Sequence, residues 1–109
     1  MDIKTLSPQV SVSPQITAAD VAKVTEAGFR AIICNRPDGE GADQPNFDEI
    51  EAAANAVGLR VAYVPVTAGM VRDDDVAAFA SALAELPRPV LAYCRTGNRS
   101  AIIFNAAQA

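Results

Sequence analysis

A three-layer α/β fold, with helices on both faces of a central, mostly parallel sheet, is predicted by three observations on this 109-residue sequence. Apolar runs of strand length recur at 29–34, 60–66 and 89–94. The stretches between them carry apolar residues at helical spacing, and glycine or proline punctuates the boundaries. Strand and helix alternating in this order imply parallel strands joined by crossover helices. In such sheets ligands bind beyond the carboxyl ends of the strands. The loops beginning at Asn35, Thr67 and Arg95 are therefore expected to meet at one mouth.

Ile3–Leu6 and Val10–Val12 read as two short strands at a sheet edge, where Pro8 and Pro14 are tolerated. Thr17 reads as an N-cap with Asp20 in the capping-box position, and Ile16 and Val21 are spaced as a hydrophobic staple. That helix runs to Ala27 and stops at Gly28. Phe29–Cys34 is apolar except for Arg30, as expected of a strand covered on both faces. The turn formers of Asn35–Gly41 end it. Asn46 is expected to cap a second helix, with Glu49 three residues on, Phe47, Ile50, Ala54 and Val57 on one face, and Gly58 at the end. Arg60–Val66 is the next strand and Thr67-Ala68-Gly69 a loop. Asp73, Asp74 and Asp75 open a third helix, where they favour the N-terminal dipole. Its apolar face is Val76, Phe79, Leu83 and Leu86, and Pro87 stops it. Pro89–Cys94 is the central strand, and a last helix begins near Ser100 and runs to 109.

The length suits one small domain, 1–109, and is too short for two. A net charge of −4, with no basic cluster beyond one loop, argues against nucleic acid or an anionic membrane surface as partner. No signal-peptide pattern opens the chain, and no apolar run reaches membrane-spanning length. Two cysteines without an export signal read as reduced thiols, which places the chain in the cytoplasm. The sequence has no histidine. That removes Ser-His and Cys-His catalysis and most zinc chemistry, and no cofactor or metal is expected.

The chemistry concentrates in Cys94-Arg95-Thr96-Gly97-Asn98-Arg99-Ser100. A buried strand delivers Cys94, the turn wraps over the sulfur, and a helix follows. Backbone N–H groups of such a turn and of the helix start point inward and favour an anion. With Arg95 and Arg99 close in sequence, the same environment favours the thiolate over the thiol. Gly97 suits a positive φ or a close backbone approach to a bound anion. Cys94 is the expected nucleophile, and Arg99, with its planar fork, the residue that closes the anion cradle. Arg95, Thr96, Gly97, Asn98 and Ser100 are expected to line it, although Arg95 could equally face solvent or a carboxylate. Ser100 could serve as a plain helix N-cap. Arg36 could reach the mouth as a second anion contact or pair with Asp38 or Glu40. Cys34 reads as a packed core residue, with a resolving or relay thiol as the alternative.

This loop closely resembles that of rhodanese-type sulfurtransferases, in which four residues separate the cysteine from the closing arginine. Cysteine-dependent phosphatases use five and usually place a histidine where this chain has Tyr93. Together with Ile33–Glu40, the wider pattern Leu91–Ser100 resembles the phosphatase-like domain of the beta-lactamase-hydrolase-like protein family over nearly the whole chain. That resemblance implies a dual-specificity-phosphatase-like fold, and for that fold a chain stopping at Ala109 is early, so that a further helix is expected in a longer parent. It also implies a role in sulfide metabolism, since some members are fused to, or encoded beside, persulfide-oxidising metal enzymes, which makes such an enzyme a possible partner. In the phosphatase class the hydroxyl after the arginine bonds the thiolate, a role open to Ser100.

Sulfur transfer is the expected activity: Cys94 takes a sulfane sulfur from thiosulfate or a persulfide and passes it to a thiol acceptor. Phosphatase chemistry is the alternative. It needs an acid over the cradle, yet Thr67–Val71, where dual-specificity phosphatases carry theirs, has none, so Asp73, Asp74 or Asp75 would have to swing in. A non-catalytic module that binds an oxyanion or senses oxidants is the third reading.

Overall fold

The computed structural model describes residues 1–108. Five strands, β1 (Lys4–Ser7), β2 (Val10–Ser13), β3 (Ala31–Cys34), β4 (Arg60–Tyr63) and β5 (Val90–Tyr93), form one sheet in the order β1-β2-β5-β3-β4. Helices α1 (Ala18–Glu26) and α2 (Phe47–Ala56) pack together on one face, and α3 (Asp73–Glu85) and α4 (Asn98–Gln108) on the other. Only β1 runs antiparallel to its neighbour. The three-layer α/β prediction is met.

The pleat sorts the core into two halves. Ala31, Ile33, Val90 and Ala92 face Phe79, Leu83, Ile103 and Phe104 of α3 and α4. Ile32, Cys34, Leu91 and Tyr93 face Val21, Val24, Phe47 and Ile50 of α1 and α2. Because β3 and β5 are covered on both faces, they read as unbroken apolar runs rather than alternating ones. Each fully buried Ile, Leu or Phe here contributes roughly 1.5–3 kcal/mol.

Local signals set most element ends. Thr17 Oγ1 accepts from Asp20 N at 3.3 Å while Asp20 Oδ2 accepts from Thr17 N at 2.9 Å, which is the expected capping box. Gly28 takes φ +96° after the helix. Four expectations differ. The N-terminal strands are not both at the edge: β1 is, but β2 lies inside the sheet, paired parallel to β5 from Val10↔Val90 to Ser13↔Tyr93. Asn46 stands at the N-cap of α2 without a side-chain bond, and Asp38 Oδ1 accepts from Phe47 N at 2.8 Å in its place. Val57, expected on the apolar face, is 45% exposed because α2 ends before it. The last helix starts at Asn98 rather than near Ser100, since Ala101 N already bonds Gly97 O at 3.0 Å. Its expected last residue, Ala109, lies outside the described residues.

The topology brings three strand ends together. Beyond β4 the chain stays extended, with Val64 N donating to Cys34 O and Val66 N to Asn35 O. Beyond β5, Cys94 N donates to Ser13 O and Gln15 N to Arg95 O, so that β2 grips the start of the cysteine loop. On the other side Asn35 N donates to Tyr93 O at 2.8 Å.

Candidate active site

Cys94 sits one residue past Tyr93 and turns to the α4 side of the sheet, at the base of a cleft of about 440 Å³. Ala68, Gly69, Val71, Arg95, Thr96, Asn98, Arg99 and Ile102 complete the lining. The sulfur is 1% exposed as part of its residue and accepts from Gly97 N at 3.1 Å. The N–H groups of Arg95, Thr96, Arg99 and Ser100 find no backbone or side-chain acceptor among the described residues. Donors of this kind, gathered at the start of a helix, are of the type that attracts an anion.

Gly97 takes φ +90°, as a left-handed turn requires. The close approach it permits is not to the anion site, however. An added Cβ would stand 3.2 Å from the Ser13 carbonyl carbon, so glycine lets the loop lie against the end of β2. Thr96 and Asn98 are exposed, and Thr96 Oγ1 accepts from Asn98 N at 3.2 Å. Arg95 is exposed and lines both this cleft and a neighbouring one.

Arg99 has a partner that the spacing did not suggest. Arg99 is buried, and its guanidinium is bidentate to Glu40, Nη1 to Oε2 at 2.9 Å and Nη2 to Oε1 at 3.0 Å, with a further bond from Nη1 to Val66 O at 2.9 Å. Arg36 is also buried. Of the alternatives open to it, Glu40 is the partner, from Nε at 3.0 Å, and Nη1 reaches Gln15 Oε1 at 3.1 Å. Arg36, Glu40, Gly41, Thr67, Ala68, Arg95 and Arg99 surround the second cleft, so the three loops do meet at one mouth. Hydrogen bonding to Arg99, more than the opposing effect of burial, and then Arg36, holds the Glu40 carboxyl below its ordinary range.

Ser100 takes neither predicted role. It lies inside the first turn of α4, fully buried, and its Oγ donates to Asn35 Oδ1 at 2.8 Å. Asn35 in turn donates from Nδ2 to Val64 O at 2.9 Å. This asparagine ties β3, the end of β4 and α4 together beneath the site, and sequence reasoning treated it only as a turn former. Glu40 entered that reasoning merely as a possible partner of Arg36. No local signal marks these two contacts, because Arg99 lies 59 positions from Glu40 and Ser100 lies 65 from Asn35.

Cys34 and Asp73–Asp75 stay outside the site, as their readings as a core residue and as helix-start acids have it. Cys34 faces the α1/α2 half of the core and donates from Sγ to Arg36 O at 3.3 Å. Asp73, Asp74 and Asp75 lie in the first turn of α3, and Asp75 Oδ2 accepts from Arg72 N at 3.0 Å. None of the three lines either cleft.

A family model for the phosphatase-like domain of beta-lactamase hydrolase-like protein matches residues 2–109. The chain belongs to this family. A beta-lactamase hydrolase-like protein of Xylella fastidiosa is 33% identical over 104 residues, which are 95% of this chain and 24% of that protein. The chain thus spans about a quarter of the length of the curated relatives it matches. Among solved structures, a candidate phosphatase of Neisseria meningitidis superposes with a TM-score of 0.91 at 37% identity, over 99% of this chain and 77% of that one. TpbA of Pseudomonas aeruginosa, crystallised as its C132S form with pTyr, shares the fold alone, with a TM-score of 0.65 at 22% identity over 93% of this chain and 58% of that one. The fold is that of the phosphatase-like proteins, as the sequence resemblance implied. The comparisons carry no support for sulfur transfer.

Proposed function

We propose that the chain is a cysteine-dependent hydrolase of phosphate monoesters, with Cys94 as nucleophile. The observation that carries this reading is the Cys94 sulfur, bonded by Gly97 N–H at the base of a cleft lined by Arg95 and Arg99, in a fold shared with a candidate phosphatase at 37% identity. The loop N–H groups and Arg99 hold the phosphoryl oxygens while the sulfur attacks phosphorus. An S–P bond forms, the P–O bond to the leaving group breaks, and water later cleaves the phosphocysteine to release phosphate.

The leaving group receives little help. Among the described residues no carboxylic acid lines the cleft of Cys94, and Glu40 next door is kept ionised by two guanidiniums and is unsuited to give a proton. Substrates whose alkoxide or phenolate leaves readily, such as aryl phosphates, are therefore preferred.

The same missing acid favours a second reading, sulfur transfer. Thiosulfate expels sulfite as a stable anion with no proton required, leaving Cys94 as a persulfide that a thiol acceptor then reduces. The four-residue spacing from Cys94 to Arg99 supports this reading too. A persulfide-oxidising enzyme is the partner that would fit it. Two free thiols suit a reducing cytoplasm for either chemistry.

One experiment separates them. Wild type and Cys94→Ser are assayed on an aryl phosphate, and in parallel treated with thiosulfate and weighed by mass spectrometry. The phosphatase reading expects hydrolysis that falls about a thousand-fold or more in Cys94→Ser. No such hydrolysis defeats it. Gain of one sulfur atom by wild type but not by Cys94→Ser establishes the second reading, and equal or absent gain removes it. Failure of both leaves an oxyanion-binding module.

A further inference from the structure

We infer that Glu40 is a positioning residue, which clamps Arg99 so that one fork of the guanidinium is left facing the anion site; this rests on the reading that Arg99 binds the substrate anion. A guanidinium has five N–H donors. In Arg99 both Nη1 donors are taken, by Glu40 Oε2 and Val66 O, and one Nη2 donor is taken by Glu40 Oε1. The two that remain, Nε–H and the second Nη2–H, lie on the same edge and point the same way. They form the pair that suits a bidentate oxyanion. Nε has no partner among the described residues, and since no buried side-chain nitrogen or oxygen is left unpartnered there, Nε is not sealed from solvent. Arg99 lines the cleft of Cys94, and its free edge is assigned to that cleft.

Glu40 is itself held. Its Oε1 also accepts from Arg36 Nε at 3.0 Å, and Arg36 Nη1 reaches Gln15 Oε1 at 3.1 Å. Gln15 N donates to Arg95 O at 3.3 Å, which closes a circuit from the cysteine loop back to itself. Gly41 makes room for it, since an added Cβ would stand 2.7 Å from Arg36 Nη2. One carboxylate thus restrains two guanidiniums, and the Arg36–Glu40–Arg99 group keeps a net positive charge toward the anion.

The consequence runs against simple electrostatics. Removing a negative charge beside an anion site should tighten anion binding, whereas releasing Arg99 from its clamp should weaken it. Calorimetric binding of inorganic tungstate decides between them without any need for turnover. Glu40→Ala is expected to weaken tungstate binding about tenfold, one charge-assisted contact's worth. In an Arg99→Ala background the same change should have no weakening effect. Should Glu40→Ala fail to fold, Glu40→Gln, which keeps one acceptor for Arg99, carries the same comparison with a loss of about threefold. Unchanged or tighter binding in the glutamate variants, with Arg99→Ala weakened, overturns the clamp and leaves the anion reading standing. Wild type that binds no tungstate, or Arg99→Ala that binds as well as wild type, defeats the anion reading and the clamp with it.

Discussion

Cys34 and Cys94 end neighbouring parallel strands one register step apart, since Cys34 pairs with Tyr93. Both are almost inaccessible, at 2% and 1%. Their surroundings are nonetheless opposite. The pleat turns Cys34 into the α1/α2 core and Cys94 into the cleft. Cys34 gives its hydrogen to Arg36 O, and burial pushes its thiol up from the ordinary value. Cys94 instead receives a hydrogen from Gly97 N. A sulfur that donates must keep its proton, while one that accepts can carry charge. The direction of one hydrogen bond, more than burial or position in the sheet, separates the core thiol Cys34 from Cys94, the proposed nucleophile.

The strongest way to break this comparison is to alkylate both thiols. Iodoacetamide at pH 7.5 should label Cys94 at least about ten times faster than Cys34, because Cys94 opens on the cleft while burial in the core keeps the Cys34 thiol protonated. Peptide mapping over a time course reads the two rates, and equal rates would erase the distinction. A smaller effect is expected from Gly97→Ala. A side chain there takes a left-handed φ and meets the Ser13 carbonyl. The cost is about 1–3 kcal/mol, measured by urea unfolding. The labelling of Cys94 should slow as its hydrogen-bond donor shifts, while that of Cys34 should not.

The sheet and helices were legible because they rest on local signals: apolar runs at β3 and β5, the Thr17–Asp20 box, and Gly28 and Gly58 after their helices. The cysteine loop was legible for the same reason, since Cys94, Gly97 and Arg99 fall within six positions. What escaped was whatever depends on distant partners. Ser100 looked like a cap or a thiolate partner, but Asn35 claims its hydroxyl. Arg99 looked free to take an anion with its whole fork, but Glu40 occupies the end-on edge. Val10–Val12 looked like an edge strand because Pro8 and Pro14 flank it, yet both prolines fall outside β2 and leave its ladder with β5 intact. Spacing along a chain reveals pairs one helical turn or one tight loop apart, and the Glu40–Arg99 clamp is neither.

The mildest test of the comparison leaves neutral pH untouched and appears only in alkali. Cys34 and Tyr93 share one face of the core, and each is raised chiefly by burial; Cys34 raises Tyr93 further, whereas hydrogen bonding to Tyr93 partly lowers Cys34. A raised acid stabilises the fold fully below its unfolded value and loses that contribution as pH climbs toward the folded one. For Cys34 the loss therefore begins near its ordinary 9.0, and Tyr93 follows from its ordinary 10.0. Each group can steepen the fall by up to about 1.4 kcal/mol per pH unit. Urea midpoints of Cys34→Ser and wild type should then run parallel up to pH 8 and converge above 9, because the hydroxyl has no proton to lose in that range. A constant offset across the whole range would mean that burial does not hold the Cys34 thiol in its protonated form, and the contrast between the two thiols would lose its physical basis.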